Sequence, residues 1–281
     1  MWVYLNDRFV PEDEAHVSIF DRGFLYGDGL FETLRVYSGK IFRLHEHIDR
    51  LTTGAIRMAI SLPARATMER LLYETLDKNN LCDALLRLTV SRGCGEVGLD
   101  PTRCGPPTVV ITPRPIHLYA EQYCSGVSAI ILPQSRSHPT LKSLSFLDNV
   151  IAKYEAVKKG AFEGLFVNTR GYLTEGTISN LFWVQGGRLY TPSPAAGILE
   201  GITRQVVLDL TKMEGMTTYE GLYRPSLLMT ADEAFLTSTG LELMPLTQVN
   251  GKKIGAGVPG TINQRLRRLF QERVQQEITG F

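Results

Sequence analysis

Tyr172-Leu173-Thr174-Glu175-Gly176-Thr177-Ile178-Ser179-Asn180-Leu181-Phe182-Trp183 is the stretch from which the rest of the chain can be read. A single carboxylate, Glu175, stands in this largely apolar run. Such a charge is costly unless it meets a partner, and a protonated ring nitrogen is one such partner. Upstream, Leu141-Lys142-Ser143-Leu144 sets a lysine between Leu and Ser, just before an apolar-periodic helix. Desolvation lowers the pKa of such an amine and suits it to attack on a carbonyl. Downstream, past the hairpin-like Gln185-Gly186-Gly187-Arg188, the run Gly197-Ile198-Leu199-Glu200-Gly201-Ile202-Thr203-Arg204 opens a helix on a glycine. Its backbone N–H groups stay accessible, which is where a phosphate sits well.

An amine for a Schiff base, a carboxylate for a ring nitrogen and an N–H nest for a phosphate are together what pyridoxal 5′-phosphate needs from a protein. The segments Leu141-Lys142-Ser143-Leu144, Leu173-Thr174-Glu175-Gly176, Ser179-Asn180-Leu181-Phe182 and Gly201-Ile202-Thr203-Arg204 resemble the class IV (fold-type IV) pyridoxal-phosphate enzymes over nearly the whole chain. That family contains branched-chain aminotransferases, D-amino-acid aminotransferases, some (R)-amine transaminases and aminodeoxychorismate lyases. The resemblance implies an α/β (α+β) fold of two domains with the cofactor in the cleft between them. It also implies a homodimer in which the partner's loop closes the pocket.

By the same resemblance Lys142 holds the cofactor as an internal aldimine and then acts as the base at the substrate's Cα. Glu175 keeps the pyridine nitrogen protonated, and Leu199 packs on the ring. Arg50, Gly201, Ile202, Thr203, Ser238 and Thr239 surround the phosphate. Tyr26, Phe31 and Arg35 line the substrate pocket, with Arg87 and Gly240 also on the substrate side. Read without the resemblance, Arg50 is a surface ion-pair residue on a helix, and Thr237-Ser238-Thr239-Gly240 is a turn whose hydroxyl and N–H groups suit a phosphate.

The chain has 281 residues, beyond the usual single-domain size, so two domains or one large α/β unit are expected. The expected boundaries are a smaller N-terminal α/β domain over 1–115, a connection over 116–126, and a larger domain over 127–281 carrying Lys142. Thirty basic residues against twenty-nine acidic ones give a net charge of +1, which offers no electrostatic case for nucleic acid or an anionic membrane. Small molecules, here an amino acid and a 2-oxo acid, are the expected partners. The start from Met1 to Asp7 lacks a basic segment followed by an apolar one, and no apolar run reaches membrane-span length, so a soluble, cytoplasmic protein is expected. Cys82, Cys94, Cys104 and Cys124 show no CxxC spacing and read as free thiols, a disulfide being the alternative.

Two short strands around Asn6-Asp7 open the chain, followed by an acidic loop at Glu12-Asp13-Glu14. Leu30, Glu32, Leu34 and Val36 alternate with Phe31, Thr33, Arg35 and Tyr37, the pattern of a strand with two different faces. Leu44, Ile48, Leu51, Ala55 and Met58 predict an amphipathic helix, and Met68 to Leu76 a second. His45 and His47 are two apart on the first helix and do not converge on a metal, so no metal site is expected and both read as solvated or supporting histidines. Ala84 to Arg92 is a strand interrupted by Arg87, whose buried guanidinium calls for an anion: a structural ion pair or a substrate carboxylate. Pro107 to Pro113 and Val127 to Pro133 are further strands. After Lys142, Leu147, Val150, Ile151 and Tyr154 are expected on the buried side of a helix. Short strands, a helix over Ile202 to Glu214, the Asn250-Gly251 hairpin and a closing helix from Thr261 to Ile278 complete the pattern.

Within the family, aligning Ser91-Arg92-Gly93 places Val97 and Leu99 where D-amino-acid aminotransferases carry an Arg-x-His carboxylate trap. Arg87 and Gly98-Leu99-Asp100-Pro101 resemble branched-chain aminotransferases instead, although Leu85 and Phe146 stand where those enzymes have tyrosines. Ser179 to Trp183 and Leu189 to Ser193 resemble certain aminodeoxychorismate lyases. The expectation is an aminotransferase acting on branched-chain L- or D-amino acids, with the lyase as the alternative and a protein that only binds the cofactor as a third, weaker reading.

Overall fold

The computed structural model describes residues 1–117 and 119–280. Its contacts divide the chain into two compact units. The first comprises Met1–His117, Leu141–Phe146 and Glu277–Phe281, and the second Leu118–Thr140 and Leu147–Gln276.

The first unit contains, in order, β1 (Trp2–Leu5), β2 (Arg8–Pro11), α1 (Arg22–Tyr26), β3 (Gly29–Tyr37), β4 (Lys40–Ile41), α2 (Leu44–Met58), α3 (Arg65–Asn79), β5 (Ala84–Ser91) and β6 (Thr108–Arg114). Its six strands form one antiparallel sheet in the order β2-β1-β6-β5-β3-β4. The β1–β2 hairpin turns at Asn6, whose φ of 58° lies in the left-handed region that asparagine tolerates. The expected acidic loop is a single 3-10 turn, Glu12–Glu14. Leu30, Leu34 and Val36 of β3 and Leu86 and Leu88 of β5 form a core with Ile48, Leu51 and Ala55 of α2 and Leu71, Leu72 and Leu76 of α3. The α2 stripe is thus the one its spacing predicts.

The second unit contains α4 (Ala120–Ser125), β7 (Val127–Leu132), α5 (Leu147–Lys158), β8 (Glu163–Val167), β9 (Leu173–Gly176), β10 (Asn180–Gln185), β11 (Arg188–Pro192), α6 (Ile202–Met213), β12 (Thr218–Gly221), α7 (Pro225–Leu228), β13 (Glu233–Ser238), β14 (Glu242–Val249), β15 (Lys252–Lys253) and all but the last residues, from Glu277, of α8 (Thr261–Thr279). Its sheet runs β12-β11-β10-β13-β14-β7-β8-β9, with β15 paired to β14. It is mixed, with parallel pairs at β11–β12, β14–β7 and β7–β8. The molecule is therefore α+β, with one antiparallel and one mixed sheet. No helix among the described residues is long and apolar enough to cross a membrane.

Three features differ from the pattern read in the sequence. The 116–126 stretch is not a bare connection, since it contains α4, and Leu118 within it lies outside the described residues. Lys142 does not group with the second unit: Phe31 N–H donates to the Lys142 carbonyl at 2.9 Å and Leu144 N–H to the Gly29 carbonyl at 2.8 Å, tying 141–146 to β3. The larger correction concerns α5. Leu147, Val150, Ile151 and Tyr154 are exposed, as is Val157. The face that α5 buries holds Asn149, Ala152 and Ala156, packed with Ile130, Leu132 and Phe166 of β7 and β8. Small side chains let the helix lie close on the strands, and the large apolar stripe turns outward.

Candidate active site

In the first unit, β3 and β5 pair with Phe31 opposite Thr89, Thr33 opposite Arg87 and Arg35 opposite Leu85. Strand alternation sorts these side chains to one face and Glu32 to the core face. The Arg87 guanidinium carbon lies 3.7 Å from the centroid of the buried Phe31 ring. Lys142 Nζ lies 4.5 Å from the same centroid, and Phe146 packs edge-on to that ring at 5.5 Å. One ring thus carries an amine and a guanidinium. Arg87 Nε donates to Thr89 Oγ1 at 3.2 Å. Burial pushes the Arg87 pKa below its ordinary value, and the nearby Arg114 charge adds to the effect. Among the described residues neither Arg87 nor Arg35 forms an ion pair; Arg35 stacks 4.9 Å from the Tyr37 centroid and its buried Nε has no hydrogen-bond partner.

The segment carrying Lys142 reaches β3 because Gly29 has no side chain. A Cβ there would stand 2.6 Å from both Leu144 Cδ1 and the Val90 carbonyl oxygen. Arg50 of α2 places its guanidinium as a fork on Glu32, with Nε to Oε1 at 2.8 Å and Nη2 to Oε2 at 2.7 Å. His47 Nδ1 lies 2.7 Å from the same Oε2. Burial alone would raise the Glu32 carboxyl, but Arg50 and His47 outweigh it and hold the pKa at about 2. Burial lowers the His47 pKa, with the Arg50 and Lys142 charges adding to it against the Glu32 contact. His47 is therefore buried rather than solvated, whereas His45 is exposed against Glu69. Tyr26 is half-exposed, its hydroxyl accepting from Gly98 N–H at 3.3 Å. Arg22 donates to the Gly98 and Leu99 carbonyls and holds the same loop.

In the second unit Glu175 is buried on β9. Arg136 donates to its Oε1, while its Oε2 accepts from Leu199 N–H at 3.0 Å and from Asn180 Nδ2 at 3.2 Å. Sequence reasoning missed Arg136, which stands among Ser, His and Pro residues with nothing local to set it apart from a surface arginine. The turn from β9 to β10 closes through Gly176 N–H to the Ser179 carbonyl at 2.7 Å. The fully buried Glu163 holds that turn by accepting from Thr177 N–H and the Thr177 and Ser179 hydroxyls.

Gly201 precedes α6 with no side-chain cap, so the Ile202 and Thr203 N–H groups have no acceptor within the helix. Arg204, buried in the next position, donates to the Pro192 carbonyl at 3.0 Å and to Glu220, which pins the helix start. Thr237, at the end of β13, buries a hydroxyl with no partner. Next to it, Ser238 Oγ accepts from Leu241 N–H at 3.2 Å, and Thr239 and Gly240 continue the turn, partly exposed. The structure brings Phe31, Arg87 and Lys142 together in the first unit and Glu175 and Leu199 in the second. All four cysteines are free.

These features fit pyridoxal 5′-phosphate: a buried carboxylate paired with a cation, a helix start with unaccepted N–H groups, and a lysine amine beside a guanidinium. Residues 29–249 match the family described as amino-transferase class IV, and the chain belongs to that family. It is an enzyme of the pyridoxal-phosphate-dependent class. A Methanocaldococcus jannaschii protein provisionally named branched-chain-amino-acid aminotransferase is 41% identical over 97% of this chain and 96% of its own length. The D-alanine aminotransferase of Bacillus licheniformis is 35% identical over 99% of this chain and 98% of its own. The aminodeoxychorismate lyase of Bacillus subtilis is 34% identical over 98% of this chain and 96% of its own. Among solved structures, the Escherichia coli branched-chain amino acid aminotransferase superposes with a TM-score of 0.92 at 28% identity, over 96% of this chain and 93% of that one.

Proposed function

We propose that this chain is an amino-acid aminotransferase, moving an amino group between a branched-chain L- or D-amino acid and a 2-oxo acid. The observation that carries this reading is the Phe31 ring shared by Lys142 and Arg87. An amine poised for carbonyl chemistry beside a guanidinium that has no carboxylate partner among the described residues matches a substrate that is both an amine and a carboxylate. When bound, pyridoxal phosphate supplies a carbonyl that condenses with amines and a protonated ring that draws electrons from the substrate's Cα.

The chain's own residues divide the remaining work. Lys142 Nζ would take the proton from the substrate's Cα and hand it back, as the general base. Glu175, which accepts from Arg136, would be the partner of the protonated ring nitrogen. Leu199 would pack on the ring. Arg50, Gly201, Ile202, Thr203, Ser238 and Thr239 hold the phosphate, Arg50 being oriented by Glu32. Arg87 receives a substrate carboxylate, and Tyr26, Phe31, Arg35 and Gly240 shape the substrate side.

One observation favours the aminodeoxychorismate lyase reading. Arg35 and Arg87 lie two positions out of register on one face of a strand pair, neither in an ion pair among the described residues, and aminodeoxychorismate carries two carboxylates. A half-reaction separates the two. The cofactor-loaded protein is mixed with single L- or D-amino acids, without an oxo acid, and assayed for pyridoxamine phosphate. Its formation from one enantiomer supports transamination and reveals the stereochemistry. Its absence with every amino acid, together with pyruvate and 4-aminobenzoate from aminodeoxychorismate, replaces that reading with the lyase.

The outward stripe of α5 supports assembly as a homodimer. Leu147, Val150, Ile151, Tyr154 and Val157 form one contiguous apolar face, and such faces mark contact surfaces.

A further inference from the structure

Asn180 occupies a place that the chemistry above does not use. It is the first residue of β10 and is buried, paired across the ladder with Thr237 of β13. Its Nδ2 donates to two acceptors: Glu175 Oε2 at 3.2 Å and the Leu199 carbonyl at 2.8 Å. Two acceptors on one side fix the orientation of the amide, because a flipped side chain would set oxygen against both. Leu199 N–H closes the arrangement by donating to the same Glu175 oxygen at 3.0 Å. The amide's other end meets Gly201, where a Cβ would lie 2.1 Å from Asn180 Oδ1. Gly201 has φ −69° and ψ 138°, values open to any residue. Glycine is therefore required here by Asn180 and not by the backbone.

We propose that Asn180 is a positioning residue that fixes the Glu175 carboxylate against Leu199 and the start of α6. The inference rests on the reading of Glu175, Leu199 and Gly201 as cofactor-binding. Without this donor the carboxylate keeps Arg136 on Oε1 but only the Leu199 N–H on Oε2, and the Leu199 backbone itself loses the amide that fixes its carbonyl. An aspartate in this place would set a second carboxylate against Glu175. The neutral, two-donor amide is the side chain that satisfies both acceptors.

The test is titration of the apoprotein with pyridoxal phosphate, read by visible absorbance at a series of pH values. Asn180→Ala should weaken cofactor binding roughly 10- to 100-fold, the scale of losing a hydrogen bond to a charged group, and should shift the pH at which the bound cofactor changes colour. Thr191→Val is the control. It removes a buried hydrogen bond to the Leu181 carbonyl of the same strand and should leave cofactor affinity and spectrum unchanged.

Gly201→Ala supplies a second route, because its methyl group displaces the Asn180 amide. Alone it should reproduce the Asn180→Ala spectrum; added to Asn180→Ala it should cost less than about half of its effect alone, since the obstructing amide is gone. Wild-type affinity and pH response in folded Asn180→Ala, or full additivity of the two substitutions, would overturn the inference. A wild-type protein that fails to bind pyridoxal phosphate would instead overturn the underlying assignment.

Discussion

The pH dependence of stability should report directly on the Glu32 network. Glu32 is buried and takes hydrogen bonds from Arg50 and His47, which hold its carboxyl at about 2 against an ordinary 4.5. At 1.36 kcal/mol per pH unit, that drop corresponds to roughly 3 kcal/mol of stability. The sign follows from the depressed value. The contribution is fully present above pH 4.5, where the unfolded carboxyl is also ionised, and is lost as pH falls to about 2 and the native carboxyl takes up its proton. His47 acts in the same direction at higher pH. Its native pKa is below 6.5, so the unfolded chain gains a proton first, and stability starts to fall below pH 6.5.

The perturbation that separates the two is Glu32→Gln. At pH 7 it should cost about 3 kcal/mol, because the half-buried Arg50 guanidinium and the buried His47 lose the carboxylate they share. Urea unfolding at fixed pH values gives the measurement. The chain has two tryptophans: Trp2 on β1 in the first unit and Trp183 in the core of the second. A Trp183→Phe background leaves Trp2 as the reporter for the unit that contains Glu32, and Trp183 Nε1 has no hydrogen bond to lose. The wild-type and Glu32→Gln curves should converge by roughly 3 kcal/mol between pH 4.5 and 2. Parallel curves through that window would show that Glu32 does not carry this pH dependence.

Lys142→Ala should abolish the visible absorbance change on adding pyridoxal phosphate and lower turnover by at least about 100-fold, the scale of a lost general base; a variant with the wild-type spectrum removes Lys142 from the chemistry. Arg87→Ala should raise KM for the amino acid about 10- to 100-fold with a smaller change in kcat, as loss of a carboxylate contact predicts, and steady-state kinetics that leave KM unchanged would count against that contact. Arg87→Lys should restore little, since a point charge does not replace a fork stacked on Phe31. Ile151→Glu combined with Tyr154→Glu should convert a dimer to a monomer in sedimentation velocity without loss of folded signal; an unchanged sedimentation coefficient would show that the α5 face does not carry the dimer.

Local pattern was enough to read the residues proposed to do chemistry. Glu175 and Arg87 stand out because each is a charge inside an apolar strand; Glu175 is buried on β9 and Arg87 half-buried on β5. The two faces of β3 also follow from alternation, since a period of two assigns every side chain once one is placed. Periodicity does not say which stripe of a helix is buried, however. On α5 both an apolar stripe and an alanine stripe recur at helical spacing, and the alanines won the sheet because they allow the closer approach. The large stripe was legible as apolar; its direction was a tertiary fact.

The residues that position the site were illegible for a related reason. Arg136 meets Glu175 across 39 residues of sequence, and Leu199 reaches the same carboxylate across 24. Asn180 and Glu163 are a polar residue and an acid at strand starts, where either could be a solvated end. Only the close approach of Gly201 and the turn at Thr177 turns their hydrogen-bonding capacity into constraint. A carboxylate that must stay ionised inside a protein needs its donors from several directions, and the β9–β10 turn, the Arg136 loop and the segment before α6 each supply one. The Glu175 site is for this reason a property of three segments at once, and substitutions at Asn180, Arg136 or Gly201 should act on the cofactor through the geometry of one carboxylate.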